Sequence, residues 1–446
     1  MIVSNKIPTG IMSVLASTCL LINMAQAAEQ LYPVALPIKV APALSAAGQA
    51  ENSLYPVGVK TVTITHKNQF DVMSQSVTDR QLTLEVWYPA NVTDKQLKDH
   101  STKTSYANQT RLGQPFEMAA NAYRDAEIRV EPKQSFPVIV LSHGYTGYRT
   151  IMFYLGEHLA ANGYVVAAID HTDSTNAEVD MVNTPFSGFF STLLNRARDQ
   201  QFTLDYLTAQ THFASSVIDK NHAGLLGYSM GGYGAINTVG GCYQFNEKTT
   251  AQFTGTDNPQ VIQQAMALLN TCTAGKADVQ TDPKWQAAVA IAPWGAQHQL
   301  FAPKSLQNID VPMLYIAGDL DDVSGYEGIE DAYQQTGSPS YLLTYHNARH
   351  NIAPHPAPKV AFNNDLDLGH YFEPAWDSRQ LNAINEHFVL AMMDCHVKKQ
   401  AKQCEFLQLE GSSNQQNVEG KPTPAWKGFP ARFATGMSWK SNSSQH

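Results

Sequence analysis

One short string in this sequence has residue types and a spacing suited to nucleophilic chemistry: Gly227-Tyr228-Ser229-Met230-Gly231-Gly232. It follows an apolar run, Ala223-Gly224-Leu225-Leu226-Gly227, and opens a segment, residues 230–239, that can be helical despite its glycines. A G-x-S-x-G motif between a strand and a helix is a nucleophile elbow. The sharp turn strains the backbone at the serine, so the residues two before and two after it must be small. Gly227 and Gly231 meet that need. The bland alternative is a glycine-rich turn, and the preceding strand weighs against it.

A serine hydroxyl is a poor nucleophile until a base takes its proton, and the base needs an acid to orient it. With a nucleophile elbow the chain order is serine, then acid, then histidine. A buried strand is expected at 311–317, and it runs into Gly318-Asp319-Leu320-Asp321-Asp322-Val323. Catalytic groups in open α/β sheets sit at the carboxyl ends of strands, so all three aspartates are eligible. A further strand, 340–345, ends in His346-Asn347-Ala348-Arg349-His350-Asn351. His350 lies well into that loop and is the better base, whereas His346 closes the strand. His355, His370 and His387 are read as structural. The oxyanion of acyl transfer needs two backbone N–H groups. Met230 supplies one. Tyr145, in Ser142-His143-Gly144-Tyr145-Thr146-Gly147, is expected to supply the other, with Gly144 allowing close approach.

These residues need a sheet to hold them. Residues 59–65 and 80–88 alternate apolar and polar, as half-buried antiparallel strands do. Residues 91–135 form a polar excursion with a short helix expected at 117–124. Val138-Ile139-Val140-Leu141 is a continuous apolar run, the mark of a parallel strand buried on both faces. Helix and strand then alternate: helix 151–162 closed by Gly163, strand 164–169, an irregular stretch at 171–195, helix 196–208 and the elbow strand. Beyond the elbow come an insertion, 243–284, with a helix at 259–270, then strands 285–292 and 311–317, helix 326–335, strand 340–345 and a long amphipathic helix, 378–399. The fold class is therefore α/β: a mostly parallel central sheet with helices on both faces, antiparallel N-terminal strands and insertions near the cleft.

The 446 residues are 43% hydrophobic and 15% charged, with a net charge of −9, which argues against a nucleic-acid partner. The N-terminus reads as a secretory signal, residues 1–27. It has a lone lysine, Lys6, a mostly apolar stretch at 11–24 and an Ala25-Gln26-Ala27 cleavage site. No later run is long enough to cross a membrane. Residues 28–56 are rich in Ala and Pro and read as an arm or linker, residues 57–405 as the main domain, and residues 406–446 as an extension whose aromatics pack on the body. Export leaves four cysteines, and the expected pairing is sequence-local, Cys242 with Cys272 and Cys395 with Cys404.

Residues 137–355 resemble the branch of α/β-hydrolases that holds bacterial cutinases, poly(ethylene terephthalate) hydrolases and platelet-activating-factor acetylhydrolases. The elbow string is similar to that of the polyester hydrolases. So is Ala292-Pro293-Trp294, where the resemblance implies a tryptophan lining the substrate cleft; a core tryptophan is the alternative. Gly318-Asp319-Leu320-Asp321-Asp322-Val323 resembles their acid loop, and the match selects Asp321. Asn347-Ala348-Arg349-His350 resembles their histidine loop. Arg80-Gln81-Leu82-Thr83-Leu84-Glu85-Val86-Trp87-Tyr88-Pro89 and Tyr371-Phe372-Glu373-Pro374-Ala375-Trp376-Asp377 resemble segments of secreted acetylhydrolase-like and dienelactone-hydrolase-like proteins. Two departures matter. Animal acetylhydrolases place their acid one strand earlier, where this chain has Ala292. True dienelactone hydrolases use a cysteine nucleophile. The insertions at 91–135 and 243–284 are also absent from compact polyester hydrolases and are placed to cover the cleft.

The expectation is an exported serine carboxylic-ester hydrolase, periplasmic or extracellular, acting through an acyl-enzyme with Ser229, Asp321 and His350. Its substrate is a small-molecule or polymeric ester, and no metal or cofactor is implied. The alternatives are a peptidase or amidase on the same triad and a catalytically silent binding protein on this fold.

Overall fold

In this computed structural model the described residues are Ala35, 55–72, 74–99, 103–132, 134–209, 212–273, 276–278, 280–302, 304–414, 417–418, 421–422, 426–430 and 432–442. The expected signal peptide lies outside them, as does the arm apart from Ala35, Tyr55 and Pro56.

Long alternating segments open the sheet: β1 (Val57–Asp71) and β2 (Ser76–Asn91) pair antiparallel, with Val59 opposite Trp87 and Ile64 opposite Leu82. The excursion that follows contains a hairpin, β3 (Ser105–Gln109) with β4 (Pro115–Ala119), and a short strand, β5 (Ala122–Arg124), beside β1. The helix expected at 117–124 is thus replaced by strands. Phe116 and Met118 face inward on alternate positions while β3 pairs along the whole of β4, and tertiary pairing overrides local propensity.

The parallel core comes next. It comprises β6 (Phe136–Ser142), β7 (Val165–Asp170), β8 (Ile218–Tyr228), β9 (Trp285–Ile291), β10 (Met313–Gly318) and β11 (Ser340–Tyr345). Every residue of β6 is buried, as a strand covered on both faces requires. The spatial order runs β11, β10, β9, β8, β6, β7, β2, β1 and β5. A last strand, β12 (Met437–Asn442), pairs antiparallel with β11, so the C-terminal extension joins the sheet. Trp426, Phe429 and Trp439 are buried, and Trp439 stacks on Phe388.

Helices cover both faces. On one, α1 (Phe153–Ala161) and α5 (Ser378–His396) bury Leu155, Ile384, Phe388 and Met392. On the other, α2 (Phe189–Thr208), α3 (Met230–Thr238) and α4 (Tyr326–Gln335) bury Leu193, Leu204, Ile236 and Ile329. Helix α2 starts seven residues before the 196 expected from sequence, because Phe189, Leu193 and Leu194 pack into that core. Gly163 ends α1 with φ +85°, a conformation that glycine adopts freely. Both sequence-local disulfides are present, Cys242–Cys272 and Cys395–Cys404. No helix among the described residues is long and apolar enough to cross a membrane.

Candidate active site

Ser229 sits between β8 and α3 with φ 53° and ψ −114°. Only a tight turn between packed elements holds an L-residue there. The flanking glycines are required by space. A Cβ on Gly227 would lie 2.1 Å from the Gly231 carbonyl oxygen, and one on Gly231 would lie 2.1 Å from that of Ser142. The turn is tied to the next strand by the Ser229 N–H, which donates to the Ile291 carbonyl at 2.9 Å.

The acid loop sorts its three aspartates by partner. Asp321 accepts from His350 Nδ1 through both oxygens, at 3.1 and 3.0 Å. Asp319 holds His346 Nδ1 at 2.9 Å, and Asp322 accepts from Arg349 Nη1 at 2.6 Å. Asp321 Oδ1 also accepts from the Val323 and Ser324 N–H groups at 2.9 and 2.8 Å. Burial works against its ionisation, but His350 and these two amides outweigh it and hold the carboxyl below the usual range. An ionised Asp321 fixes the tautomer: His350 Nδ1 carries the proton, so Nε2 presents its lone pair to Ser229 Oγ at 3.0 Å. Ser229 and His350 are 7% and 9% exposed, enclosed yet reachable.

The histidine loop has a brace that the sequence argument did not assign. Glu373 accepts from the Arg349 and Asn351 N–H groups, both at 2.8 Å, and so clamps the residues on either side of His350. Burial pushes its carboxyl up against the pull of those amides. The only sequence signal was its place in the Tyr371–Asp377 string. Tyr228, one residue before Ser229, donates to the His350 carbonyl at 3.3 Å, and its ring lies 5.3 Å from the imidazole.

Met230 is the first residue of α3, where the N–H has no carbonyl one turn back to bond. Across from it, a Cβ on Gly144 would stand 3.0 Å from Ser229 Cβ, so the loop after β6 passes directly over Ser229. The Tyr145 hydroxyl donates to the Pro185 carbonyl at 3.0 Å, and its ring meets Phe189 edge-on at 5.3 Å. These contacts tether the side chain on the 171–195 stretch. Trp294 follows β9, and its N–H donates to the Ser229 carbonyl at 3.2 Å. Trp294 is buried in the core on this face, and its indole lies among Phe189, Tyr233, Phe253 and His298.

A second Ser–His–Asp array lies beneath this loop. Ser142 Oγ is 2.7 Å from His171 Nε2, and His171 Nδ1 is 2.9 Å from Asp199 Oδ2. Arg80 donates to both oxygens of Asp199, at 2.8 and 2.9 Å. The His171 N–H donates to His143 Nε2 at 3.2 Å, leaving His143 Nδ1 to donate to the Gly144 carbonyl at 2.6 Å. Ser142, His171 and Asp199 are all essentially inaccessible to solvent. Burial and the charge of Arg196 pull His171 down to about 3 against the help of Asp199. Burial opposes a charged Asp199, yet Arg80 and His171 hold it ionised.

A sheet of this order, with Ser229 on a strand–helix elbow, Asp321 after β10 and His350 after β11, has the architecture of the α/β-hydrolase fold. A family described as platelet-activating factor acetylhydrolase, isoform II, matches residues 45–186. The chain is similar to the cutinase est1 of Thermobifida alba, 25% identical over 248 residues, covering 55% of this chain and 60% of that one. It is also similar to a bis(hydroxyethyl) terephthalate hydrolase of Streptomyces coelicolor, 31% identical over 105 residues, 24% of this chain and 29% of that one. The chain thus spans less than two thirds of these relatives. In fold it is similar to a ferulic acid esterase from Streptomyces cinnamoneus, with a TM-score of 0.53 and 18% identity, covering 89% of this chain and 98% of that one.

Proposed function

We propose that this protein is a serine carboxylic-ester hydrolase working through an acyl-enzyme. The reading rests on one observation, the unbroken hydrogen-bonded line from Ser229 through His350 to Asp321 at the carboxyl edge of the sheet. Ser229 Oγ bonds to the ester carbonyl carbon as its proton passes to His350 Nε2. The Tyr145 and Met230 N–H groups receive the oxyanion. Collapse breaks the carbon–oxygen bond, and the alcohol leaves with the proton from His350. Water, deprotonated by the same nitrogen, then attacks the acyl-enzyme, releasing the acid and restoring Ser229.

The names of the similar proteins, a cutinase, a terephthalate hydrolase and a ferulic acid esterase, favour an ester over an amide. The limited exposure of Ser229 and His350 favours small or lipid-like esters over the face of a solid polyester. Two disulfides favour an exported protein, periplasmic or extracellular. Trp294 belongs to the buried aromatic cluster on this face, and it is assigned to the cleft wall because its amide is joined to the Ser229 carbonyl. Trp294→Ala then raises KM for bulky esters more than for acetate esters; a large loss of Tm with an unchanged ratio of the two makes it purely a core residue. The central test is turnover of p-nitrophenyl esters of graded chain length by wild type and Ser229→Ala. Ester turnover in wild type, lost in the variant, is the expected result, and equal rates overturn the reading.

A further inference from the structure

Arg111 is the unexplained charge beside this site. It stands at the tip of the β3–β4 hairpin, in the polar excursion that the sequence marks as an insertion. The tip is built to hold one position. The Gly113 N–H donates to the Thr110 carbonyl at 2.9 Å, and φ at Gly113 is +75°. Thr110 Oγ1 and the Leu112 N–H donate to the two oxygens of Asp367 at 2.8 and 3.0 Å. Asn176 Nδ2 donates to the Gln109 carbonyl from the opposite side. The turn's own hydrogen bond and two other segments, around Asp367 and Asn176, thus fix where Arg111 projects.

The Arg111 side chain reaches the nucleophile's surroundings. Its Nε donates to Thr146 Oγ1 at 3.0 Å, and Thr146 directly follows Tyr145. Its charge is felt by Tyr228, which precedes Ser229, and by Tyr148 and Tyr371. The guanidinium is therefore bonded to the proposed oxyanion loop and lies near enough to the tyrosine that packs on His350 to interact with it electrostatically.

Its charge balance is unlike that of Arg80, Arg149 and Arg349. Arg80 is paired with Asp199, Arg149 with Glu85 and Asp170, and Arg349 with Asp322. Among the described residues no carboxylate lies within ion-pair distance of Arg111. Asp367, the acid that docks on the hairpin tip from the 365–368 helix, spends one oxygen on Thr110 and the other on the Leu112 amide. Burial pulls the guanidinium below its ordinary range, and Tyr228, Tyr371 and Asp367 do not restore it. With Nε used by Thr146, the Nη1–Nη2 edge remains for a ligand. That edge is a planar fork matched to the two oxygens of one carboxylate.

We propose that Arg111 is a specificity-determining residue that receives a carboxylate on the ester substrate, making carboxylate-bearing esters the preferred class. The assignment rests on the hydrolase reading above. The carboxylate belongs either to the acyl part, as in a hemi-ester of a dicarboxylic acid, or to the alcohol part, as in an acylated hydroxybenzoate. Either would neutralise the guanidinium without a second cation.

The test compares wild type, Arg111→Gln and Arg111→Lys on two matched pairs. One pair is the mono-p-nitrophenyl ester of a dicarboxylic acid against the p-nitrophenyl ester of the monocarboxylic acid of equal length. The other is 4-acetoxybenzoate against phenyl acetate. In one pair or the other, Arg111→Gln should cut kcat/KM for the charged ester about ten- to a hundredfold more than for the neutral one, mainly through KM. The pair that responds identifies which part carries the carboxylate. Arg111→Lys should recover part of the loss, since charge returns without the fork. Competition on the wild-type enzyme does not depend on either variant folding: a monocarboxylate should inhibit neutral-ester turnover more strongly than its amide, and added salt should weaken that inhibition. Equal losses on both members of both pairs, or equal inhibition by acid and amide, overturn the role of Arg111 and leave the hydrolase reading intact. No turnover of any ester by wild type overturns both.

Discussion

Two Ser–His–Asp arrays sit a few residues apart in this protein, and their geometry is nearly interchangeable. In one, Ser229, His350 and Asp321 are joined at 3.0 Å from serine to histidine and 3.0 Å from histidine to acid. In the other, Ser142, His171 and Asp199 are joined at 2.7 and 2.9 Å. Residue types and distances do not separate the two serines; the surroundings do. Ser229 stands on a strained turn at φ 53°, next to a helix N-terminus and under the Gly144 loop. Ser142 is the last residue of β6, in extended backbone with no access to solvent. Asp321 is oriented by two amides and Asp199 by a guanidinium. The first arrangement keeps Ser229 and His350 partly open to solvent. The second joins β2, β6, β7 and α2 under the loop that covers Ser229.

The largest effect expected from this contrast is on turnover. Ser229→Ala and His350→Ala should each lower kcat by roughly four to six orders of magnitude, since triad members act as a unit. Asp321→Ala should cost less. Asp319→Ala and Asp322→Ala should leave most of the activity, because those carboxylates hold His346 and Arg349 instead. Steady-state kinetics decides it. If Asp319→Ala or Asp322→Ala abolishes turnover while Asp321→Ala does not, the acid has been misassigned.

Removing the acid of the buried array should instead damage the fold. Asp199→Ala leaves Arg80 facing only Asp173 and leaves the His171 Nδ1–H unpaired. Breaking a buried charge pair from one side typically costs about 3–5 kcal/mol. Denaturant unfolding should show that loss, and Asp321→Ala should show a smaller one. Equal losses would erase the distinction between the arrays.

How much of this was legible in the sequence depends on how local each signal is. The elbow is legible because steric need writes glycine at Gly227 and Gly231. The acid and the base are legible because each follows its own apolar strand. The buried array is not, because Ser142, His171 and Asp199 come from three elements and none stands in a motif of its own. His171 opened a stretch that read only as polar and irregular. Glu373 was visible only within a resembling string, because a carboxylate that clamps backbone amides leaves no periodicity. The hairpin carrying Arg111 read as an excursion with a helix. Strand pairing across a turn is a long-range fact, and short strands give weak local signals.

Acidification should separate the arrays again. His171 is held neutral in the fold, down to about 3, whereas unfolded histidine binds its proton near pH 6.5. Between these values the unfolded chain takes up the extra proton. The stability contribution is therefore whole above pH 6.5 and is lost as pH falls toward 3, by at most about 1.4 kcal/mol per pH unit for one proton. His171→Gln should be less stable than wild type at pH 7.5 but lose less on going to pH 5. His143, His355 and His370 are also depressed by burial and keep some acid sensitivity in the variant. Identical slopes in variant and wild type would mean that His171 does not titrate as described.

The smallest effect should come from Ser142→Ala, and it probes the comparison most directly, because the same substitution at Ser229 removes the proposed nucleophile. His171 Nδ1 donates to an ionised Asp199, so Nε2 must accept, and the Ser142 hydroxyl is its donor. Alanine leaves that nitrogen buried and unpaired, at a cost of about 1–3 kcal/mol. The backbone of β6 keeps its pairing to β7 and β8, so the loop over Ser229 keeps its anchor. The expected result is a lower unfolding midpoint with kcat reduced by less than about tenfold, far from the loss expected when a triad serine is removed. A fall in kcat comparable to that of Ser229→Ala, with little change in stability, would give Ser142 a direct part in the reaction and reverse the assignment of the two arrays.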